Sequence, residues 1–142
     1  MELIPIGYVR NEVRPPQKMT NFGVPSTVEI LPQFADALLR IEKHSHIWVL
    51  GWIDRGERDV LQVIPRGGSE LHGVFAVRSP ARPNPIGLTS ARLLKREGLV
   101  LHLDKLDFLD GTVVVDIKPY FAVRDLHFSA SNVRIAGTDI PQ

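Results

Sequence analysis

The chain contains no cysteine. That absence excludes a disulfide framework, a thiolate metal site and a cysteine nucleophile. Long uncharged runs are missing as well. The stretch from His44 to Ile53 is among the longest, at about ten residues, and a membrane helix needs about 20. The opening Met-Glu-Leu-Ile-Pro-Ile-Gly lacks a basic region and a long apolar core, so it does not read as a signal peptide. No membrane association is expected, and the cytoplasm is the expected location. There is no GxGxxG and no Walker-type loop, which removes support for a Rossmann or P-loop site. No internal repeat, linker or low-complexity tract breaks the chain. What is there is 142 residues with 44% apolar side chains, which suits a single domain over 1–142.

The net charge of +1 is unevenly spread. Residues 1–65 carry seven basic and eight acidic side chains, and residues 97–142 carry four and seven. Residues 66–96 carry six basic side chains (Arg66, Arg78, Arg82, Arg92, Lys95, Arg96) and one acidic, Glu70. A basic middle on a near-neutral protein points to a local anionic ligand, or to charges that solvate a strand end. Arginine supplies 12 of the 17 basic residues, and its planar fork favours carboxylate and phosphate.

The pattern reads as mostly β. Strands are expected at Leu3 to Arg10, Thr27 to Leu31, His46 to Ile53, Val60 to Ile64, Gly73 to Val77, Leu88 to Leu94, around Leu99 to Leu103, and Thr112 to Ile117. Phe34, Ala37, Leu38 and Ile41 recur at helical spacing behind Pro32, so one short helix is expected there. Gly67-Gly68 and Asp110-Gly111 read as tight turns, the second as a hairpin. The expectation is a small β-barrel or sandwich with one short helix, not a Rossmann fold, and a loosely docked tail from Ala122. His44 and His46 share one face of a strand without completing a ligand set, so no metal site is expected. Asp54, Glu57 and Asp59 alternate with arginines, as a solvated turn does.

The informative segment runs from Gly73 to Gly87. Pro80, Pro83 and Pro85 stiffen it, so it has little conformational entropy to lose on binding. On it sit Arg78, Ser79, Arg82 and Asn84. Two guanidiniums, a hydroxyl and a carboxamide form a recognition set for a carboxylate and a base edge.

Gly73-Val74-Phe75-Ala76, Arg78-Ser79 and Arg82-Pro83-Asn84-Pro85-Ile86-Gly87 together resemble the signature of the TrmO family, also called TsaA-like or YaeB-like. Pro5 to Arg10, Ser45 to Leu50, Leu106 to Thr112 and Val115 to Tyr120 agree in order. The resemblance covers roughly residues 4–120. It implies a small β-barrel that uses S-adenosylmethionine to methylate N6 of threonylcarbamoyladenosine at tRNA position 37, so the anticodon loop is the implied partner. It also implies a homodimer with the cofactor near the subunit interface.

By the same resemblance, Arg78 contacts the cofactor, and Arg82 and Asn84 fix the loop or bind cofactor or substrate. Asp110, Gly111 and Thr112 lie on a hairpin against the cofactor, and Gln17 falls on a proline-containing loop that closes over it. Asp110, Asp116 and Arg82 are the implied catalytic residues. Asp110, Asp116 and His72 are candidate proton acceptors. Arg82 or Arg66 is the candidate clamp for the substrate carboxylate, and Lys95 and Arg96 are candidates for phosphate contacts. The family's Phe-His after the second block is Ile53-Asp54 here, and its Gly-Thr-Pro turn is Gly111-Thr112-Val113. Long bacterial members carry a further C-terminal domain, and no counterpart of it is expected within these 142 residues. An S-adenosylmethionine-binding protein, or a methyltransferase for a small metabolite, is the alternative reading. A non-enzymatic nucleic-acid-binding barrel is a third.

Overall fold

Val9, Val28, Ile47, Val49, Leu101, Leu103 and Val114 each alternate with more exposed neighbours, and all are buried. Period-two burial is what a strand gives when one face meets a core. In the computed structural model, which describes residues 1–131, these side chains fill a closed six-stranded antiparallel barrel. Its strands are β1 (Gly7–Arg10), β2 (Val24–Ile30), β3 (His46–Trp52), β6 (Ile86–Glu97), β7 (Val100–Leu106) and β8 (Val113–Pro119). A two-stranded arm, β4 (Gln62–Val63) and β5 (His72–Gly73), projects between β3 and β6. The order around the barrel is β1-β2-β7-β6-β3-β8. Closure leaves no strand edge open to pairing with another chain. Truncating a buried leucine such as Leu101 to alanine in a core like this costs roughly 2–5 kcal/mol.

The strand directions give the barrel two distinct ends. At one end β1, β3 and β7 finish while β2, β6 and β8 begin. Phe108 plugs this end. It is 4% exposed, and its ring meets the places where side chains would grow on Gly51 and Gly87. A β-carbon at Gly87 would stand 2.5 Å from the ring, which leaves it no room, and one at Gly51 would make a tight contact at 3.1 Å. At the other end Pro32–Leu38 and Ile41–Lys43 cover the core with Phe34, Leu38 and Ile41.

Three local expectations are corrected. The segment at Pro32 is 3-10 rather than α-helical, closed by bonds such as Phe34 N–H to the Leu31 carbonyl at 2.9 Å. It ends at Leu38, and Arg40, with a left-handed φ of 67°, leads into the next turn at Ile41–Lys43. Short covering pieces of this kind use the tighter helix. The strand expected at Gly73 to Val77 shrinks to His72–Gly73, followed by a 3-10 turn at Val74–Ala76. The carbonyls of Val74 and Val77 bind the Arg82 side chain instead of a neighbouring strand. Asp110-Gly111 is not a hairpin. β7 and β8 are not neighbours in the barrel, so the chain crosses its end between them. The two-residue hairpin lies instead at Gly98-Leu99 between β6 and β7, where Gly98 has φ 59°.

After β8 a single helical turn, α1 (Ala122–Asp125), docks on the barrel wall. The Trp48 indole N–H and the Phe121 backbone N–H both donate to Asp125 Oδ2, each at 2.9 Å. The Trp48 bond first, and then the backbone bond, hold the Asp125 carboxyl below its ordinary range. A depressed carboxylate contributes stability above its unfolded pKa and loses it as pH falls through the lowered value. Docking of α1 is therefore expected to hold at neutral and mildly acidic pH and to release only below about pH 4. Tryptophan fluorescence of the native chain and of Asp125→Asn should diverge at neutral pH and converge below that point. A native transition at pH 5–6 would contradict this. Residues 132–142 of the expected tail lie outside the described residues.

Candidate functional site

At the Phe108 end, three loops meet around a cleft of about 750 Å³. One is Ile53 to Arg55, which leaves β3. The second runs from Phe75 to Leu88. The third is the Asp107 to Val113 crossing, with Pro15 at its edge. Ile53, Phe75, Ile86, Leu88, Leu109 and Val113 supply apolar wall, and Arg55, Arg78, Asn84 and Asp110 supply polar groups. This volume and mixture suit a small organic ligand.

The Phe75–Leu88 loop is built around Arg82. Its guanidinium donates to the carbonyls of Val77 (3.0 Å), Ser79 (2.9 Å) and Val74 (2.9 Å). Its backbone N–H donates to the Glu57 carbonyl at 2.9 Å. Pro85 is fully buried, and its carbonyl accepts from Ile53 N–H at 2.8 Å. Gly56 abuts the Pro80 carbonyl so closely that no side chain fits there. On the outer side, Arg58 donates to the Pro83 carbonyl at 2.8 Å and to Asn84 Oδ1 at 3.3 Å, with its guanidinium 5.3 Å from the Trp52 ring centre. The Asn84 oxygen is thereby engaged, which leaves its amide N–H groups as donors for a ligand.

The crossing is fixed from β1. Asp110 N–H donates to the Val13 carbonyl at 2.8 Å, and Gly111 N–H to the Val9 carbonyl at 2.7 Å. Asp110 Oδ1 accepts from Asn11 N–H at 3.0 Å, and Oδ2 faces Arg14 Nε at 3.5 Å. Thr112 Oγ1 donates to the Leu109 carbonyl at 2.7 Å. Gly111, at φ 86°, supplies the left-handed conformation that the turn needs. Arg55 and Arg78 are exposed and have no side-chain hydrogen bond or ion pair among the described residues. Two unneutralised guanidiniums over an apolar wall can hold an anionic group on an otherwise apolar ligand.

Comparison with known proteins agrees with this architecture. The family described as the tRNA-methyltransferase O N-terminal domain matches residues 4–126. This chain belongs to that family. A probable S-adenosyl-L-methionine-binding protein of Archaeoglobus fulgidus is 53% identical over 108 residues, which are 76% of this chain and 29% of that protein. The tRNA (adenine(37)-N6)-methyltransferase of Mus musculus is 44% identical over 92 residues, which are 63% of this chain and 21% of that protein. A crystal structure of TrmO from Pseudomonas aeruginosa has a TM-score of 0.71 and 34% identity, covering 94% of this chain and 60% of that one. The chain spans less than two thirds of the length of each of these three relatives.

Within this TrmO-type domain, Arg78, Arg82, Asn84, Asp110, Gly111 and Thr112 all line the cleft. Gln17 does not. Its Oε1 accepts from Arg14 N–H at 2.9 Å, so it fixes the turn that carries Arg14 and Pro15 to the cleft edge. Asp116 is not brought to the cleft either. It lies well along β8, opposite Leu50, and borders a second groove at the other barrel end, of about 470 Å³. Its carboxylate faces Lys118 Nζ at 3.1 Å. His72 is on the arm, Arg66 donates to Asn21 Oδ1 at 3.4 Å, and neither lines the cleft. Lys95 and Arg96 sit by the far end, paired with Glu97 at 2.9 Å and Glu42 at 3.0 Å. Among the described residues no three potential metal ligands cluster.

Asn11, Arg14, Arg55 and Arg58 escaped the sequence reading. Asn11 did leave a signal: an Asn just past a strand, two residues before the N–H it binds, is the pattern of an Asx turn. Arg55 and Arg58 were hidden in a run of mixed charge.

Proposed function

We propose that this chain is an S-adenosylmethionine-dependent methyltransferase whose acceptor is N6 of threonylcarbamoyladenosine at tRNA position 37. The supporting observation is one cleft in a TrmO-type domain that combines an apolar wall, two unpaired guanidiniums and an anchored carboxylate. The cleft volume lies within the range of small-ligand sites, and its donors together with the Asp110 carboxylate match a ligand with a base, a carboxylate and an ammonium. Arg78 would hold the carboxylate. Asn84 N–H groups and the Asp110 carboxylate would read the base edge, ribose or ammonium. Phe75, Ile86, Leu88 and Leu109 would cover the base.

The bound cofactor supplies a methyl group already activated by its sulfonium. The chain's task is then positioning. The Pro-rich loop and the anchored crossing would hold donor and acceptor against one another. Of the three candidate proton acceptors, Asp110 alone lines the cleft, so its carboxylate is assigned to take the proton that the acceptor nitrogen loses on methylation. Arg82 spends its donors on carbonyls, so the substrate carboxylate is assigned to Arg55.

The tRNA reading draws on the family's description and on the mouse relative. A homodimer is part of the same proposal. Leu61, Ile64, Leu71 and Phe75 expose apolar surface on and beside the arm, which a second copy would cover. No helix of the described residues is long and apolar enough to cross a membrane, and a tRNA substrate would put the work in the cytoplasm. The Archaeoglobus relative is named only for S-adenosyl-L-methionine binding, which supports a second reading: a cofactor-binding protein, or a methyltransferase acting on a small metabolite. Labelled cofactor separates the two. Incubation with tRNA bearing threonylcarbamoyladenosine should label that nucleoside and leave tRNA with plain adenosine unlabelled. The yield should fall with added salt. Cofactor binding with no labelled tRNA would remove the tRNA proposal and leave the second reading.

A further inference from the structure

The Asp107–Val113 crossing has a structural problem. It joins two strands that are not neighbours; backbone bonds hold its second half to the β1 side (Gly111 and Thr112 to Val9, Asp110 to Val13), while its first half, through Phe108, has no such bond to β1 among the described residues. Yet it carries Asp110 and one whole wall of the cleft. One side chain extends that anchorage to the first half. Asn11, the residue after β1, donates through Nδ2 to the Phe108 carbonyl at 2.8 Å and to Ser26 Oγ at 3.0 Å. Its Oδ1 accepts from Val13 N–H at 2.9 Å, and its own N–H binds Asp110 Oδ1 at 3.0 Å. Ser26 is a buried polar residue, and its hydroxyl donates on to the Val24 carbonyl at 2.9 Å, at the bulge between β2 and β7. Both amide protons and the amide oxygen are therefore used, in a network with no loose end.

We propose that Asn11 is a positioning residue that sets where the Asp110 carboxylate and the Phe108 backbone stand in the cleft. The proposal rests on the S-adenosylmethionine reading above. Only a carboxamide on a short stem suits the place. Serine is too short to reach the Phe108 carbonyl. Aspartate keeps the size and the bond from Val13 N–H, but it turns the contact with Phe108 oxygen from donation into repulsion. It also brings a second negative charge next to Asp110. The cleft wall would then shift while the barrel core remains packed. Small displacements of a binding group have large effects on a preorganised site.

The test uses S-adenosylmethionine itself with the full chain. Affinity is measured by calorimetry and the thermal midpoint by scanning, for native protein, Asn11→Asp and Ile47→Val. Ile47 is fully buried in the barrel, so its shortened form reports general destabilisation away from the cleft. Asn11→Asp is expected to weaken binding at least tenfold, while Ile47→Val lowers the midpoint and leaves affinity as it was. Unchanged affinity in Asn11→Asp, or equal weakening in both variants, overturns the positioning role. Should Asn11→Asp not fold, Asn11→Ser is judged by the same comparison. Native protein that binds no cofactor overturns the underlying reading, and this inference with it. Native binding with an indifferent Asn11→Asp removes the inference alone.

Discussion

Arg82→Lys will fail almost as completely as Arg82→Ala. The guanidinium of Arg82 gathers three carbonyls from the turn between Val74 and Ser79, two of them through one nitrogen. A planar fork can do this; a single ammonium on a flexible stem cannot reach the same three oxygens together. Hydrogen bonds to a charged group contribute roughly 1.5–3 kcal/mol each when well buried. These are partly exposed and two of them share one nitrogen, so a local loss on the order of 2 kcal/mol is expected. That is enough to open the loop about 30-fold more often. Hydrogen exchange should show faster opening across Val74 to Ala81 with the barrel strands still protected, and cofactor affinity should drop in both variants. Native affinity and native protection in Arg82→Lys would show that the carbonyl clamp does not govern the cleft.

Arg78→Ala will have the opposite signature. Arg78 is exposed, lines the same cleft and makes no side-chain hydrogen bond or ion pair among the described residues. Removing it takes nothing from the fold, so the thermal midpoint should not move. A charge-assisted contact to a ligand carboxylate is among the stronger hydrogen bonds, and its loss should weaken cofactor binding at least tenfold, by about 1.4 kcal/mol or more. Arg78→Lys keeps the charge and should recover part of that. The two arginines stand four residues apart in one motif and separate cleanly. Arg82 shapes the loop, and Arg78 is free to meet what enters it. A lower midpoint with unchanged affinity in Arg78→Ala would reverse that division.

Much of this was legible because it is local. The Ile, Val and Trp content of His46 to Ile53 marks a buried strand, and the alternation from Leu99 to Leu103 marks one with a single buried face. The three prolines around Arg82 mark a stiff loop. What the sequence could not convey is pairing across the barrel. Asp110-Gly111 has hairpin chemistry, but the flanking strands part to opposite partners, with the Phe108 side chain closing the barrel mouth beside them. The strand expected before Arg78 fails for a similar reason. Its carbonyls are claimed by a guanidinium a few residues ahead, a contact that no propensity describes. Asp116 lies on a strand read correctly as β, yet it sits toward the other barrel end, because position along a strand decides which end a side chain serves. The basic run 92–96 turns out to be mostly a strand end with acidic partners, one of the two readings its composition allowed.

The central claim is that the cleft above Phe108 holds S-adenosylmethionine. Calorimetric titration of the purified native chain with that compound tests it directly. Saturable heat with one site per chain, lost in Arg78→Ala at an unchanged thermal midpoint, is the predicted result. A folded native protein that gives no binding heat and no shift in thermal midpoint with the cofactor would contradict it.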